Sequence, residues 1–126
     1  MAFVDAINGG SVERLAALMT EDHVFIDSDG TESRGRSKMV PVWGEYFAMV
    51  PDYRIIVKET FAASRTVMAA GEAEGTFIED GVLRPENHWK APAAWRAVIK
   101  EAKVAVWQVY VNPETMGEIL KRIRGE

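Results

Sequence analysis

The sequence predicts an α+β fold in which helices pack on the concave face of a cone-shaped, curved antiparallel sheet. Apolar residues at helical spacing are confined to the first 50 and the last 15 positions, and segments of β-forming residues fill the middle. Helices followed by a run of strands are typical of an α+β domain with its helices on one face. A sheet curved around its helices leaves an interior cavity at its wide end, so the predicted fold already suggests a binding site.

Two short helices are predicted at the start of the chain. Apolar residues in 3–7 form the end of the first helix, and Gly9-Gly10 stops it because glycine readily adopts the left-handed conformation. Ser11 is a suitable N-cap for the second helix, in which apolar residues recur at helical spacing through 12–19.

A short strand and a longer helix follow. Residues 23–27 are rich in β-branched and aromatic side chains and predict a strand that ends at a carboxylate, Asp27. Residues 35–50 predict a third helix, which tolerates Pro41 near its first turn if Ser37 is the cap. Its apolar face consists of Met39, Val42, Trp43, Tyr46, Phe47 and Val50.

The second half of the chain predicts strands and a final helix. Candidate strands span 53–61 and 66–78, and an antiparallel pair spans 93–100 and 103–111. Residues 83–92 contain two prolines and predict a long irregular connection. Asn112-Pro113 predicts the start of a C-terminal helix, an N-cap residue followed by proline. The apolar stripe of that helix is Met116, Ile119, Leu120 and Ile123.

Composition restricts the class of protein. A chain of 126 residues predicts one domain, 1–126, and a net charge of −4 disfavours nucleic acid as a partner. The chain has no cysteine, which excludes disulfides and thiolate metal sites and fits a cytoplasmic location. No basic leader, membrane segment or metal-ligand spacing is recognisable, so we expect no membrane partner, no metal and no cofactor.

Several motifs resemble the nuclear transport factor 2-like superfamily, in particular its SnoaL-like branch. The similar segments are Val4-Asp5-Ala6-Ile7-Asn8-Gly9-Gly10, His23-Val24-Phe25-Ile26-Asp27, Pro85-Glu86-Asn87-His88-Trp89 and Val106-Trp107-Gln108-Val109-Tyr110. The superfamily includes ketosteroid isomerases and SnoaL-like polyketide cyclases. The resemblance therefore implies a single SnoaL-like domain with a small-molecule pocket.

The resemblance also implies roles for individual residues. Asp27 falls where ketosteroid isomerases have their catalytic base, but Phe3 and Ala93 stand where those enzymes have oxyanion donors. Steroid isomerisation is therefore not expected. The cyclases use a histidine and an aspartate, and His23 and His88 are the candidate histidines; His88 would point into the pocket if the loop 83–92 closes over it. Asn112 occupies a position where relatives often have aspartate.

The residues themselves leave two interpretations of Asp27 open. It can cap the turn Ser28-Asp29-Gly30 through backbone N–H groups, or it can face the pocket, where desolvation among aromatic side chains would strengthen it as a general base. His23 lies on the same strand face but is expected near the surface. Glu72 is expected on a solvated sheet face and would be a second acid only if it pointed inward.

We predict a domain that binds a small apolar or aromatic molecule, with an isomerase-, cyclase- or lyase-type reaction by proton abstraction at Asp27 as one interpretation of its activity. The alternatives are non-catalytic ligand binding and an assembly domain. A homodimer is expected through the outer sheet face, with Gln108 and Tyr110 in the contact. The predicted catalytic residues are Asp27 and His88, and the predicted binding residues are Phe25, Trp43, Tyr46, Phe47, Trp95, Trp107 and Asn112.

Overall fold

The computed structural model describes all residues, Met1–Glu126, as four helices and one six-stranded sheet. The helices are α1 (Ala2–Asn8), α2 (Val12–Leu18), α3 (Arg36–Met49) and α4 (Glu114–Ile123). The strands are β1 (Met19–Ile26), β2 (Glu32–Arg34), β3 (Arg54–Ala63), β4 (Thr66–Glu79), β5 (Val82–Lys100) and β6 (Lys103–Val111). The α+β class and the curved, mostly antiparallel, unclosed sheet predicted from the sequence are confirmed.

The strand order is β2-β1-β6-β5-β4-β3, and only the β1–β6 pair is parallel. Consecutive strands β3 to β6 form long hairpins, so most of the sheet assembles from neighbours in the chain. Strand β6, near the end of the chain, pairs with β1, near its start, and so brings the two halves of the sheet together. No helix is long and apolar enough to cross a membrane.

The end of α1 and the cap of α2 lie where the sequence predicted, but α2 ends at Leu18 because Met19 already belongs to β1, which was expected only over 23–27. Gly10 has a φ of 62°, which suits the left-handed end of α1, and the Ser11 hydroxyl accepts a hydrogen bond from the Arg14 N–H at 3.2 Å. Helix α3 differs from the expectation at its start. Its N-cap is Gly35 and not Ser37, so Pro41 lies inside the helix at a position beyond the first turn.

The predicted irregular connection at 83–92 is wrong, because these residues belong to the 19-residue strand β5. Strand β6 pairs with β5 only from Ala93 onward, whereas β4 pairs with β5 along most of its length. The first half of β5 is therefore an edge, and an edge accommodates prolines that would break a central strand. Pro92 pairs with Glu72 of β4 and lies one residue before the point where β6 begins to pair with β5.

The hydrophobic core lies between the helices and the inward face of the sheet. Fully buried side chains from α1 and α2, among them Phe3, Ile7 and Leu15, pack near Trp95 and Trp107 of the sheet. Phe3 lies 4.8 Å from Trp107 between ring centroids. The core is one continuous cluster, and it extends to residues of α3 and α4 such as Trp43 and Ile119.

Candidate functional site

A cavity of about 250 Å³ opens between α3, α4 and the inward face of the sheet. Eleven of its fourteen lining residues are hydrophobic. The lining consists of Phe25, Asp27, Ser28, Met39, Val42, Trp43, Tyr46, Tyr53, Ala73, Trp89, Val109, Val111, Pro113 and Met116. Pockets that hold small molecules are mostly apolar with a few placed polar groups, and this cavity fits that description.

Burial distinguishes the floor of the cavity from its mouth. Met39, Trp43, Ala73 and Trp89 are buried and form the floor, whereas Val42 and Pro113 are exposed and lie at the mouth. Helix α3 supplies Met39, Trp43 and Tyr46 at helical spacing, which places all three on the face that covers the sheet.

Asp27 lines the cavity from its exposed mouth, directly after β1. Both interpretations of this residue have support, because its Oδ1 atom accepts a hydrogen bond from the Ser28 N–H at 2.7 Å while the side chain borders the cavity. The expected enclosure among aromatic side chains is wrong: α3 and α4 leave this end open to water. Asp27 is therefore a solvated carboxylate beside an apolar cavity.

Two phenol groups face the same space as Asp27. Burial, the neighbouring Tyr53 and the charge of Asp27 together raise the pKa of Tyr46 well above its ordinary value. Burial and then the Asp27 charge do the same to the pKa of Tyr53. Both hydroxyls therefore stay protonated over the whole physiological range, and both can donate a hydrogen bond to a ligand.

Tyr53 and Trp89 were missed as site residues by the sequence analysis. Tyr53 lies just before β3, and its ring meets Tyr46 edge-on at 4.9 Å between centroids. Trp89 lies on β5 within the segment that was expected to be irregular. A strand assignment there would have found it, because Trp89 has the same alternation as the inward-facing Trp95.

Four predicted binding residues lie outside the cavity lining. Trp95 and Trp107 are fully buried in the core and stack on each other at 6.5 Å between centroids. Phe47 packs behind Trp43 at 5.5 Å. Asn112 is exposed, and its Oδ1 atom accepts a hydrogen bond from the Glu114 N–H at 3.0 Å, so it caps the start of α4. The cavity is therefore bordered by Phe25, Trp43 and Tyr46 of the predicted set.

His88 lies on strand β5 and not in a loop, and it is not part of the cavity lining. Thr76 donates its hydroxyl proton to Asp52 at 2.7 Å, so the His88 Nδ1 atom, 2.9 Å from the same hydroxyl, must be the donor to it. Its Nε2 atom lies 3.5 Å from Glu74. These contacts tie the turn before β3 to the sheet, which is a structural role.

His23 and Glu72 also lie outside the cavity lining. His23 was expected near the surface but is fully buried beneath α1, where the ring of Phe3 stacks on it. Its Nδ1 atom donates to the Val104 carbonyl at 2.7 Å, and burial lowers its pKa. Glu72 lies on the outer face, as expected, and its carboxylate is 2.8 Å from Lys58 Nζ.

The family follows from a comparison with known sequences. The sequence pattern of the family described as the SnoaL-like domain matches residues 1–110. The chain belongs to the SnoaL-like domain family. No curated protein matches its sequence.

Solved structures show the same fold for this SnoaL-like domain. A SnoaL-like polyketide cyclase, so described, from Shewanella denitrificans has a TM-score of 0.80 at 13% identity over 96% of this chain and 93% of that one. An epoxide hydrolase of M. tuberculosis, described as LEH-like, has a TM-score of 0.77 at 14% identity, with coverage of 96% and 85%. A protein of Catenulispora acidiphila with a ketosteroid isomerase-like fold, in complex with trimethylamine, has a TM-score of 0.73 at 18% identity, with coverage of 86% and 81%.

Proposed function

We propose that this SnoaL-like domain binds a small, largely apolar molecule in the cavity and that Asp27 acts on it as a general base. The observation that carries the proposal is the juxtaposition of one carboxylate with an otherwise apolar, aromatic-walled cavity. At about 250 Å³ the cavity lies below the volume of about 300–1,000 Å³ that drug-sized ligands occupy, so we expect a compact ligand. Because the Catenulispora acidiphila protein holds trimethylamine, small amines belong among the compounds to test.

The proposed reaction is an isomerisation or cyclisation that starts with loss of a proton next to a carbonyl group. The Asp27 carboxylate takes the proton from carbon, and the C–H electron pair forms a carbon–carbon double bond as the carbonyl oxygen becomes an enolate. The hydroxyls of Tyr46 and Tyr53 donate hydrogen bonds to that oxygen, because their raised pKa values keep them protonated. Protonated Asp27 then returns the proton to a different carbon, which restores the carboxylate.

Binding is tested with a neutral apolar fluorophore, N-phenyl-naphthylamine, whose emission rises when it leaves water. We expect the chain to bind it and Val111→Trp, which fills the cavity, to abolish binding. Val57→Trp is the matched control, since Val57 lies on β3 outside the cavity lining. Equal fluorophore binding by both variants would refute the cavity as the binding site.

Proton abstraction is tested by deuterium incorporation into small cyclic ketones in heavy water, followed by NMR. We expect the chain to accelerate exchange next to the carbonyl and Asp27→Asn to remove about 10²–10⁴-fold of that acceleration, the usual contribution of a general base. Asp29→Asn is the control, because Asp29 lies in the same turn and bonds only to Thr31.

The second candidate function is non-catalytic binding or carriage of the same ligand. The exposure of Asp27 favours it, because water at the open mouth of the cavity competes with a ligand for this carboxylate. Ligand binding without any deuterium incorporation above the rate in buffer would establish carriage and exclude the general base.

A further inference from the structure

Five aromatic rings line the cavity, and three of the contacts between them are close to perpendicular. Phe25 and Trp43 meet at 84° and Trp43 and Tyr46 at 89°, each at 6.2 Å between centroids, and Tyr46 and Tyr53 meet at 86°. The ring of Trp89 lies 6.0 Å from that of Tyr53 and is tilted by 41° against it. Perpendicular neighbours point their faces in different directions, so the rings form walls on several sides of a compact space.

The polar atoms of these rings supply few hydrogen-bond acceptors for a charged amine, because an indole N–H only donates and each neutral phenol oxygen accepts without carrying a charge. The indole N–H groups of Trp43 and Trp89 are buried without a hydrogen-bond partner, and they can only donate. The hydroxyls of Tyr46 and Tyr53 stay protonated. A primary ammonium group needs acceptors for three N–H bonds, whereas an ammonium whose hydrogens are replaced by methyl groups needs at most one.

The charge of the cavity lining is negative only. Asp27 is the only charged residue among the fourteen that line the cavity, and no lysine, arginine or histidine is present. The quadrupole of an aromatic ring attracts a cation placed over its face, so each ring face that borders the cavity adds to the attraction of the Asp27 charge. A cation in the cavity would therefore meet favourable interactions on the walls and at the mouth.

We propose that the ligand of this cavity carries a compact tertiary or quaternary ammonium group, whose alkyl substituents lie among the five aromatic rings and whose charge is balanced by Asp27. This inference rests on the proposed binding function and gives the chemical class of its ligand. Methylated ammonium groups are recognised elsewhere by cages of aromatic rings. The methyl groups make apolar contacts with the walls, and the delocalised positive charge interacts with the aromatic rings.

The experiment compares choline with dimethylbutanol, its neutral carbon isostere, as competitors of bound N-phenyl-naphthylamine. The two molecules have the same shape and differ in the replacement of the quaternary nitrogen by carbon, so the ratio of their affinities measures the contribution of the charge. We expect choline to displace the fluorophore at a concentration at least about tenfold lower than dimethylbutanol does.

Two charge-removing variants locate the counter-charge. Asp27→Asn keeps the oxygen that accepts the Ser28 N–H, and we expect it to weaken choline binding about tenfold while dimethylbutanol binding changes less than about twofold. Asp29→Asn removes one charge from the same exposed turn but not from the cavity lining. We expect it to leave both affinities unchanged, since an exposed charge outside the cavity is screened by water.

The outcomes separate this inference from the proposed function beneath it. If the fluorophore binds in the cavity but dimethylbutanol competes as well as choline, or if neither competes, the ammonium class is wrong and the apolar pocket stands. Equal effects of Asp27→Asn and Asp29→Asn on choline would also overturn the inference. If the fluorophore itself does not bind in the cavity, the proposed function fails first.

Discussion

Replacement of Trp43 by alanine distinguishes a wall of the ligand site from a core residue. Trp43 is only 6% exposed, and its ring contacts those of Phe25, Tyr46 and Phe47. A large aromatic side chain buries about 150–250 Å², which at about 25 cal/mol per Å² corresponds to roughly 4–6 kcal/mol. The cavity already leaves one side of the indole without packed neighbours, so the expected loss of unfolding free energy is about 3–5 kcal/mol.

The variant should nevertheless remain folded at 25 °C. A chain of 126 residues has a total stability of roughly 6–19 kcal/mol at 0.05–0.15 kcal/mol per residue. Guanidinium melts give the loss of stability, and fluorophore titration on the folded variant gives the affinity. We expect Trp43→Ala to lose both, because the same ring packs the helix against the sheet and borders the cavity.

Trp95→Ala is the matched control for this experiment. Trp95 is fully buried but lies outside the cavity lining, so its loss should cost a similar 3–5 kcal/mol or so while the fluorophore affinity changes less than about twofold. If Trp43→Ala reduces stability but leaves the affinity unchanged, Trp43 is a core residue only. If Trp95→Ala abolishes binding in the folded protein, the cavity boundaries derived from the structure are wrong.

Two further predictions concern pH and assembly. Burial lowers the pKa of His23 below its ordinary 6.5, so below pH 6.5 the unfolded chain takes up a proton that the native chain does not. As the pH decreases below 6.5, the free energy of unfolding should therefore decrease by up to about 1.4 kcal/mol per pH unit through His23. His23→Asn keeps a donor for the Val104 carbonyl, and denaturant melts of this variant should show a shallower pH dependence. Identical pH profiles of the variant and the wild type would contradict the assignment. We also propose a homodimer through the outer sheet face, where Phe61 is 64% and Tyr110 44% exposed. Sedimentation at micromolar concentration should give twice the mass of the chain and Tyr110→Glu the single mass, whereas a monomeric wild type would refute the proposal.

Local patterns in the sequence determined most of the helices and strands. The apolar spacing of α3, the Gly9-Gly10 stop and the Ser11 cap each depend on neighbours within one or two turns, and the structure has them where they were predicted. The outward position of Glu72 follows from strand alternation in the same way. These features are available from sequence because the interactions that produce them connect residues close together in the chain.

Alternation also gives the face of a strand but not the position along a curved sheet. Trp89 and Trp95 both face inward from β5, yet Trp89 borders the cavity and Trp95 lies in the core. The difference arises because α1 and α2 fill one end of the sheet, whereas α3 and α4 leave space at the other. Which tryptophans can touch a ligand was therefore decided by packing between distant segments.

The sequence by itself determined an α+β SnoaL-like domain and placed a carboxylate, Asp27, at the end of its first strand. Only the tertiary structure decided that this carboxylate stands exposed at the mouth of the cavity, that His23 is buried beneath Phe3, and that His88 belongs to a strand. The physical reason is that burial and solvation depend on which segments cover a residue. In this chain the covering segments are α1 over His23 and α3 with α4 around the cavity, and local spacing along the sequence does not give how they pack.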